Sequence, residues 1–241
     1  MELSVILATY NERQNVKELV ERICDVLRSV DHEVVFVDDC SPDGTAKMVR
    51  QSALDYPQVR VIERQPPAGL TLSILDGVRN ARGKYVTWFD ADLSHPPELL
   101  PQLLAPLRER SADIACASRY VAGGCDVRSS VATRCASILI TKLAQWLIDR
   151  RVLDYTSGFI LAPRELILKL GLRGDYGEYC IDLLTTALRS GCRVHEVPYR
   201  NVDRKRGTSK TAPNLCRFLR RGWPYLTTIG ALAIGRRPRG C

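Results

Sequence analysis

The sequence predicts an α/β fold, a largely parallel sheet with helices on both faces. Three observations carry this. Short apolar runs rich in strand formers alternate with segments of helical period through the first half of the chain. Turn chemistry separates them, as at Ser41-Pro42-Asp43-Gly44. Acidic clusters stand directly after two of the strand-like runs, at Asp38-Asp39 and at Asp90-Ala91-Asp92. Strands alternating with helices imply right-handed crossovers, and in such sheets ligands bind beyond the carboxyl ends of the strands.

Leu3–Thr9 is the first strand. Asn15, with Glu18 three residues on, reads as a capping-box-like helix start. Val16, Leu19, Val20, Ile23, Val26, Leu27 and Val30 then recur at helical spacing. Glu33–Val37 is the second strand, and a helix follows from about Thr45. Val59–Ile62 is a third strand, Gly69–Ala81 a helix, Tyr85–Phe89 a fourth strand, Pro97–Arg110 a helix and Asp113–Ala117 a fifth strand. The second half is less regular. Cys135–Ile148 reads as a mostly apolar helix, and Thr156–Phe159 leads into a short apolar stretch. Ile181–Arg189 reads as a helix and Arg193–Tyr199 as a strand.

At 241 residues and 45% hydrophobic, the chain buries a core as one large domain, or as one domain with a tail. That apolar content excludes disorder. The nine cysteines are scattered with no Cys-x-x-Cys pair, and the three histidines lie far apart, so buried free thiols are expected rather than disulfides or zinc. No basic region precedes Leu3, and no apolar run approaches the roughly 20 residues that span a bilayer. The expectation is a cytoplasmic protein. The net charge of +8 is uneven, with arginines and lysines crowded from Arg204 onward. Such an end attracts phosphates of nucleotide, nucleic acid or anionic lipid, or it is simply a solvated basic face. A nucleic-acid binder is disfavoured, because few aromatics interleave with the basic residues and no recognised module forms.

Two carboxylates at i and i+2 just past a strand end, Asp90 and Asp92, can share one hard cation. A bound Mg2+ or Mn2+ would neutralise a leaving diphosphate. The same residues before Pro96-Pro97 can instead form a solvated turn or a helix cap. Ala8-Thr9-Tyr10-Asn11-Glu12 and the run from Asp38 to Thr45 end the first two strands and should share that edge. A tyrosine there can stack on a nucleobase, and carboxylates can accept hydrogen bonds from base and ribose. No Gly-x-Gly-x-x-Gly follows the first strand, so a dinucleotide site is disfavoured, and there is no P-loop.

These motifs resemble the inverting glycosyltransferase family 2 and, within it, the dolichol- and polyprenol-phosphate mannosyltransferases. Tyr10-Asn11-Glu12 resembles the family's P-x-Y-N-E, Val37–Thr45 its V-D-D-x-S-P-D-G-T, and Asp90–Glu98 its D-A-D-L-x-H-P-P-E. Ser118-Arg119-Tyr120 with Gly123-Gly124, then Asp154–Phe159, then Val202-Asp203-Arg204 with Gly207–Lys210, follow in the family's order, from about residue 3 to residue 212. The resemblance implies a GT-A type Rossmann-like nucleotide-binding sheet with helices on both faces. It implies a catalytic domain over 1–212, with a nucleotide-binding half at 1–118 and an acceptor half at 119–212. A basic, amphipathic helical tail at 213–241 would follow. It implies that Ala8, Tyr10, Glu12, Asp38 and Asp39 hold the nucleoside and that Asp90 and Asp92 hold Mg2+ or Mn2+ and the diphosphate. Arg119, Arg128 and Arg134 would meet phosphate, and Arg204, Ser209 and Lys210 would lie on a loop closing over the donor.

The chain departs from the pattern at Ala8, where the family has proline, and at Pro66–Thr71, which lacks the lysine before Gly-Leu-Gly. It departs again at Tyr179-Cys180-Ile181-Asp182, which stands for F-Q-x-E. These changes bear on sugar and acceptor. The resemblance implies transfer of mannose or another hexose, with inversion, from a GDP- or UDP-linked donor. The acceptor is a polyprenyl or dolichyl phosphate at the cytoplasmic membrane face, or else a hydroxyl or amine of a soluble small molecule. A hydroxyl would need a base, for which Asp182 is the candidate with Glu178 behind it. Asp182 could equally be a first-turn acid at a helix N-terminus. Tyr225–Ile234 is apolar and flanked by arginines, so it either lies peripherally in a membrane interface or packs on the body.

Overall fold

The computed structural model describes residues 1–206 and 215–237. The chain runs through β1 (Leu3–Thr9), α1 (Arg13–Val26), β2 (His32–Asp38), α2 (Thr45–Asp55), β3 (Val59–Glu63) and α3 (Leu70–Asn80). It continues through β4 (Tyr85–Trp88), a 3-10 turn (Pro97–Leu99), α4 (Leu100–Arg108) and β5 (Ile114–Ser118). The second half holds β6 (Cys125–Asp126), α5 (Val131–Leu147), β7 (Ile160–Pro163), α6 (Arg164–Leu170), α7 (Tyr179–Arg189), β8 (Val194–Pro198), β9 (Arg200–Asn201) and α8 (Leu215–Ala233).

One seven-stranded sheet has the order β3-β2-β1-β4-β7-β5-β8. Its neighbours pair in parallel except around β7, which is antiparallel to both β4 and β5. β6 and β9 form a small parallel pair of their own. The α/β expectation therefore holds, with one reversed strand inserted. β7 reads ILAP and is almost wholly buried. A run so short and so uniformly apolar has no alternation to read.

Two element starts differ from the expectation. α1 begins at Arg13, with Glu12 in the N-cap position. Asn15 does not cap; its Nδ2 donates back to Glu12 Oε2 at 2.8 Å. The helix expected from Cys135 begins at Val131, where Ser130 Oγ accepts from the Thr133 N–H, an ordinary serine N-cap.

Strand alternation distributes the core to both faces. Leu3, Val5 and Leu7 of β1 pack with Val16, Leu19 and Ile23 of α1 and with Leu100, Leu103 and Leu104 of α4. Ile6 points the other way, into a cluster with Ile74 and Val78 of α3, Ile181 and Leu184 of α7, and Ile229 and Leu232 of α8. α3 lies so close to β1 that a Cβ on Gly77 would collide with Ile6.

The C-terminal segment, expected as a tail, contains α8, and α8 is part of the body. It packs against α5 and α7. Ile229 and Leu232 are buried, and Arg189 Nη2 donates to the Leu232 carbonyl at 2.6 Å. Beyond it, Arg237 turns back onto α7. No helix among the described residues is long and apolar enough to cross a membrane.

Candidate active site

The acidic motifs gather where β1, β2 and β4 end, as the parallel topology requires. A cleft of about 460 Å³ opens there, lined by Asp90, Asp92, His95, Arg119, Arg128, Ser157, Arg204 and Tyr225, among others. An open recess near Met1, Glu2 and Arg108 lies at the opposite ends of the strands and collects none of the motifs.

Each acidic residue at the ends of β1 and β2 has internal work. Asp38 is buried and accepts from Thr9 Oγ1, Ser41 N and Ser41 Oγ at 3.1, 2.9 and 2.6 Å. It holds the turn, in which Gly44 takes φ +84°, a left-handed conformation that suits glycine. Asp39 accepts from Arg64 Nη1 at 2.5 Å, and from Gly69 N and Ser73 Oγ, each at 2.9 Å. Arg64 in turn reaches Asp76 with its Nε at 2.7 Å. Tyr10 is exposed, Ala8 is paired with Val37 inside the sheet, and Glu12 is buried.

β4 delivers the two aspartates differently. Asp92 is nearly buried; Oδ1 accepts from Ser94 N at 3.0 Å, and Oδ2 lies 3.0 Å from Arg204 Nη2. The Asp90 side chain is 62% exposed, open to the cleft between its walls. The Asp90 N–H donates to His95 Nδ1 at 3.4 Å, and the His95 ring packs against Phe159 and Tyr199. Crowding by the cleft walls raises the Asp90 carboxyl above the ordinary range, and the Asp92 charge beside it adds to the rise.

Arg119, at the end of β5, is buried and committed to protein partners. It forms a bidentate pair with Asp154 through Nε and Nη2, both at 2.7 Å, and Nη2 also donates to Thr156 Oγ1 at 2.6 Å. Burial alone would lower its pKa, but the hydrogen bonds and charge of Asp154 outweigh burial and raise it. Its Nη1 lies 3.5 Å from Asp126. Asp126 then takes Arg128 through Nε at 2.8 Å and Nη2 at 2.6 Å, and its carbonyl accepts from Arg134 Nη1 at 3.4 Å. Arg119 and Arg128 thus meet at the Asp126 carboxylate and Arg134 at its carbonyl, next to the N-terminus of α5.

The basic segment after β9 crosses the cleft mouth. Arg204 lies on Asp92, with Glu12 at 3.9 Å, while Lys205 N donates to the Asp92 carbonyl at 3.0 Å. Lys205 Nζ reaches Glu18 at 2.5 Å, and Arg206 Nη1 reaches the Gln14 carbonyl at 2.8 Å. Ser209 and Lys210 lie outside the described residues.

Asp182 is not brought to the cleft. It is fully buried in α7, where Arg237 holds both of its oxygens. A proton acceptor needs access to its substrate, so this placement favours the other reading of Asp182, a first-turn acid of α7. Glu178 is also buried, turned toward the Asp175 and Tyr176 N–H groups. Several lining or supporting residues were not singled out from the sequence. Asp154 sat inside a quoted motif and could have been read as a partner for Arg119. Asp126 carries no local signal, and Tyr225 was hidden in an apolar helical pattern. Tyr225 comes from α8 and seats its hydroxyl against Gly177, where any Cβ would collide with it.

The model of the family described as "Glycosyl transferase family 2" matches residues 4–171. The chain belongs to glycosyl transferase family 2. Among curated relatives, it is 36% identical over 213 residues to a dolichol-phosphate mannosyltransferase of Pyrococcus furiosus, a match that covers 87% of this chain and 59% of that protein. It is 37% identical over 218 residues to a polyprenol monophosphomannose synthase of Mycolicibacterium smegmatis, covering 86% of this chain and 79% of that one. The chain thus spans well under two thirds of the Pyrococcus protein's length. Glucosyl-3-phosphoglycerate synthase from Mycobacterium tuberculosis, solved with Mn2+, UDP-glucose and phosphoglyceric acid, superposes with a TM-score of 0.74 at 20% identity. That match covers 99% of this chain and 82% of that one, and it establishes the GT-A fold.

By the chemistry of their side chains, Asp90 and Asp92 would suit a hard divalent cation. Among the described residues, no three His, Cys, Asp or Glu side chains cluster as ligands. Asp90 and Asp92 offer hard oxygens and leave coordination positions for substrate phosphate, which is how magnesium and manganese commonly bind. Crowded carboxylates whose charges oppose each other are relieved by a cation between them.

Proposed function

We propose that this chain transfers a hexosyl group, mannose foremost, from a GDP- or UDP-linked donor to a polyprenyl or dolichyl phosphate. The transfer inverts the anomeric centre, depends on a divalent cation and takes place at the cytoplasmic face of a membrane. One observation carries the reading. The cleft sets Asp90 and Asp92 against Arg119, Arg128 and Arg204, while Asp182 is locked away on Arg237. A phosphate acceptor is already an anion at neutral pH and needs placing; a hydroxyl acceptor needs a base within hydrogen-bond reach. The names of the two curated relatives support the same acceptor class.

In this reading, an acceptor phosphate oxygen attacks the anomeric carbon as the bond to the donor diphosphate breaks. A Mg2+ or Mn2+ ion bound at Asp90 and Asp92 would supply charge neutralisation for the departing nucleoside diphosphate. The exposed ring of Tyr10 offers a stacking surface to the base, beside Ala8, Glu12, Asp38 and Asp39. Arg128 and the N-terminal end of α5 would receive the acceptor phosphate, since that helix end favours anions. Arg119, neutralised by Asp154, fixes the arginine group in place.

The test is the fate of label from radioactive GDP-mannose and UDP-glucose with polyprenyl phosphate present. Label extracted into organic solvent is expected. Label found only in a water-soluble product, with small-molecule acceptors offered in parallel, would overturn the lipid reading and leave the soluble-acceptor one.

A further inference from the structure

Arg204 does something the donor-binding reading does not account for. Its guanidinium rests on the carboxylate expected to hold the cation. Nη2 is 3.0 Å from Asp92 Oδ2, and Nη1 is 3.9 Å from Glu12 Oε1. The contact is built in. The next residue donates its N–H to the Asp92 carbonyl at 3.0 Å, so backbone and side chain of the segment both grip one aspartate. Lys205 and Arg206 fasten the same segment to Glu18 and to the Gln14 carbonyl of α1. Asp92 itself has little freedom to turn aside, because it is nearly buried and its other oxygen is held by Ser94 N. A divalent cation using Asp92 therefore meets a positive charge already seated there. Two cations cannot share one carboxylate oxygen without mutual repulsion.

We propose that Arg204 is an internal counter-ion for Asp92 that a divalent cation must displace. The displaced guanidinium then meets the nucleoside diphosphate that arrives with the cation. The exchange gives the metal alone weak binding and the metal–nucleotide pair strong binding. In the first case an ion pair is lost without replacement. In the second the released arginine gains a diphosphate, which its planar fork suits. The inference rests on the reading of Asp90 and Asp92 as the cation site.

The experiment is titration of the full chain with manganese alone, reading free Mn2+ by electron paramagnetic resonance, and then repeating it with UDP or GDP. Wild type, Arg204→Gln and Asp92→Asn are compared. Without nucleotide, Arg204→Gln should bind Mn2+ about tenfold more tightly than wild type, the scale of one nearby charge at a partly exposed site. With nucleotide, the order should reverse, because the variant has no guanidinium to offer the diphosphate. Equal or weaker Mn2+ binding by Arg204→Gln in the absence of nucleotide overturns the exchange. Mn2+ binding undiminished in Asp92→Asn overturns the cation site itself, and so does no binding by any of the three chains with nucleotide present. A loss of binding in Arg204→Gln caused by misfolding would be exposed by a fallen melting temperature. Arg204→Lys, which keeps the charge but not the fork, should then keep weak metal binding and bind the nucleotide pair poorly.

Discussion

Asp182 and Arg237, 55 residues apart in sequence, form a two-point ion pair with Nε 3.0 Å from Oδ1 and Nη2 2.8 Å from Oδ2. Arg237 also donates to the Gly171 carbonyl at 3.1 Å, so one side chain ties the segment after α8 to α7 and to the end of α6. Asp182 is fully buried and Arg237 is a quarter exposed. Asp182→Asn should therefore act on stability. Removing one member of a buried pair costs roughly 3–5 kcal/mol, and partial exposure of the arginine reduces that to about 2 kcal/mol. The melting temperature should fall by several degrees while turnover well below it stays within about threefold. Loss of a general base would instead cost about a hundredfold or more in rate. A stable but inactive Asp182→Asn would restore the base role and, with it, a hydroxyl acceptor.

Tyr225 and Gly177 make a second test of the C-terminal helix. The tyrosine hydroxyl occupies the space where a side chain on residue 177 would begin. Gly177→Ala should push Tyr225 out of the cleft wall and reduce activity at least about tenfold, since a small misplacement near a site can cost a hundredfold. Combining Gly177→Ala with Tyr225→Ala should recover part of the fold stability lost in the single variant. Measured melting temperatures of the two singles and the double decide it; simple additivity would mean the two residues do not meet, because independent sites add.

Much of this was legible in the sequence. The first five strands, their crossovers and the placing of Asp38, Asp39, Asp90 and Asp92 at one edge follow from period and turn chemistry, which are local signals. Most helix ends that were expected lie within a residue or two of those observed, but α5 begins four residues before the expected Cys135. What was not legible is what the fold assembles from a distance. β7 enters antiparallel because a buried ILAP run fits between β4 and β5, and nothing within four residues states a direction. The Asp182–Arg237 pair and the Asp126 group of arginines are contacts between segments, so an acid at the head of α7 could be read either as a base or as a first-turn acid while its partner was still unknown. Whether α8 would meet lipid or the body was open, because an apolar stripe reads the same in either place.

Glu33 predicts how the fold responds to acid. Its buried carboxylate accepts from Ser4 Oγ at 2.7 Å, Arg60 Nε at 2.9 Å and Arg82 N at 2.7 Å. Burial alone would raise its pKa, but these donors, with the charge of Arg60, lower it below the usual carboxylate range. A carboxyl depressed in the folded state stabilises above its unfolded pKa, and that stability is lost as pH falls through the folded value. Glu33→Gln should therefore cost about 2 kcal/mol at pH 7. The gap between variant and wild type should hold down to about pH 5 and narrow below about pH 4. Urea unfolding at pH 7, 5 and 3 measures it; a gap unchanged at pH 3 would sink the assignment.

The last prediction concerns where the proposed transfer takes place. α5 and α8 pack on each other, yet both leave large apolar side chains in solvent. On α5, Leu139 is 69% exposed and Trp146 71%, and their spacing puts them on one helical face. On and just after α8, Trp223 is 66% exposed and Ile234 70%. Exposed Lys142, Arg150, Arg151 and Arg236 flank them. Apolar burial and attraction to anionic headgroups add at a membrane interface, at up to about 1 kcal/mol for each basic residue near the surface. Sequence alone left Tyr225–Ile234 either in a membrane interface or packed on the body; Ile229 and Leu232 within that stretch are committed to the core, so any membrane-facing residues would be the exposed ones on both helices. Leu139→Glu combined with Trp146→Glu should leave the melting temperature nearly unchanged, since neither side chain is buried, while cutting co-sedimentation with phosphatidylglycerol vesicles about tenfold or more. Transfer to long-chain polyprenyl phosphate in those vesicles should fall in step. Transfer to a short, water-soluble polyprenyl phosphate should not, because the cleft is untouched. Vesicle binding that survives both charges would assign the apolar face to a protein partner, and equal loss on the short acceptor would place these residues in the acceptor site rather than at the membrane.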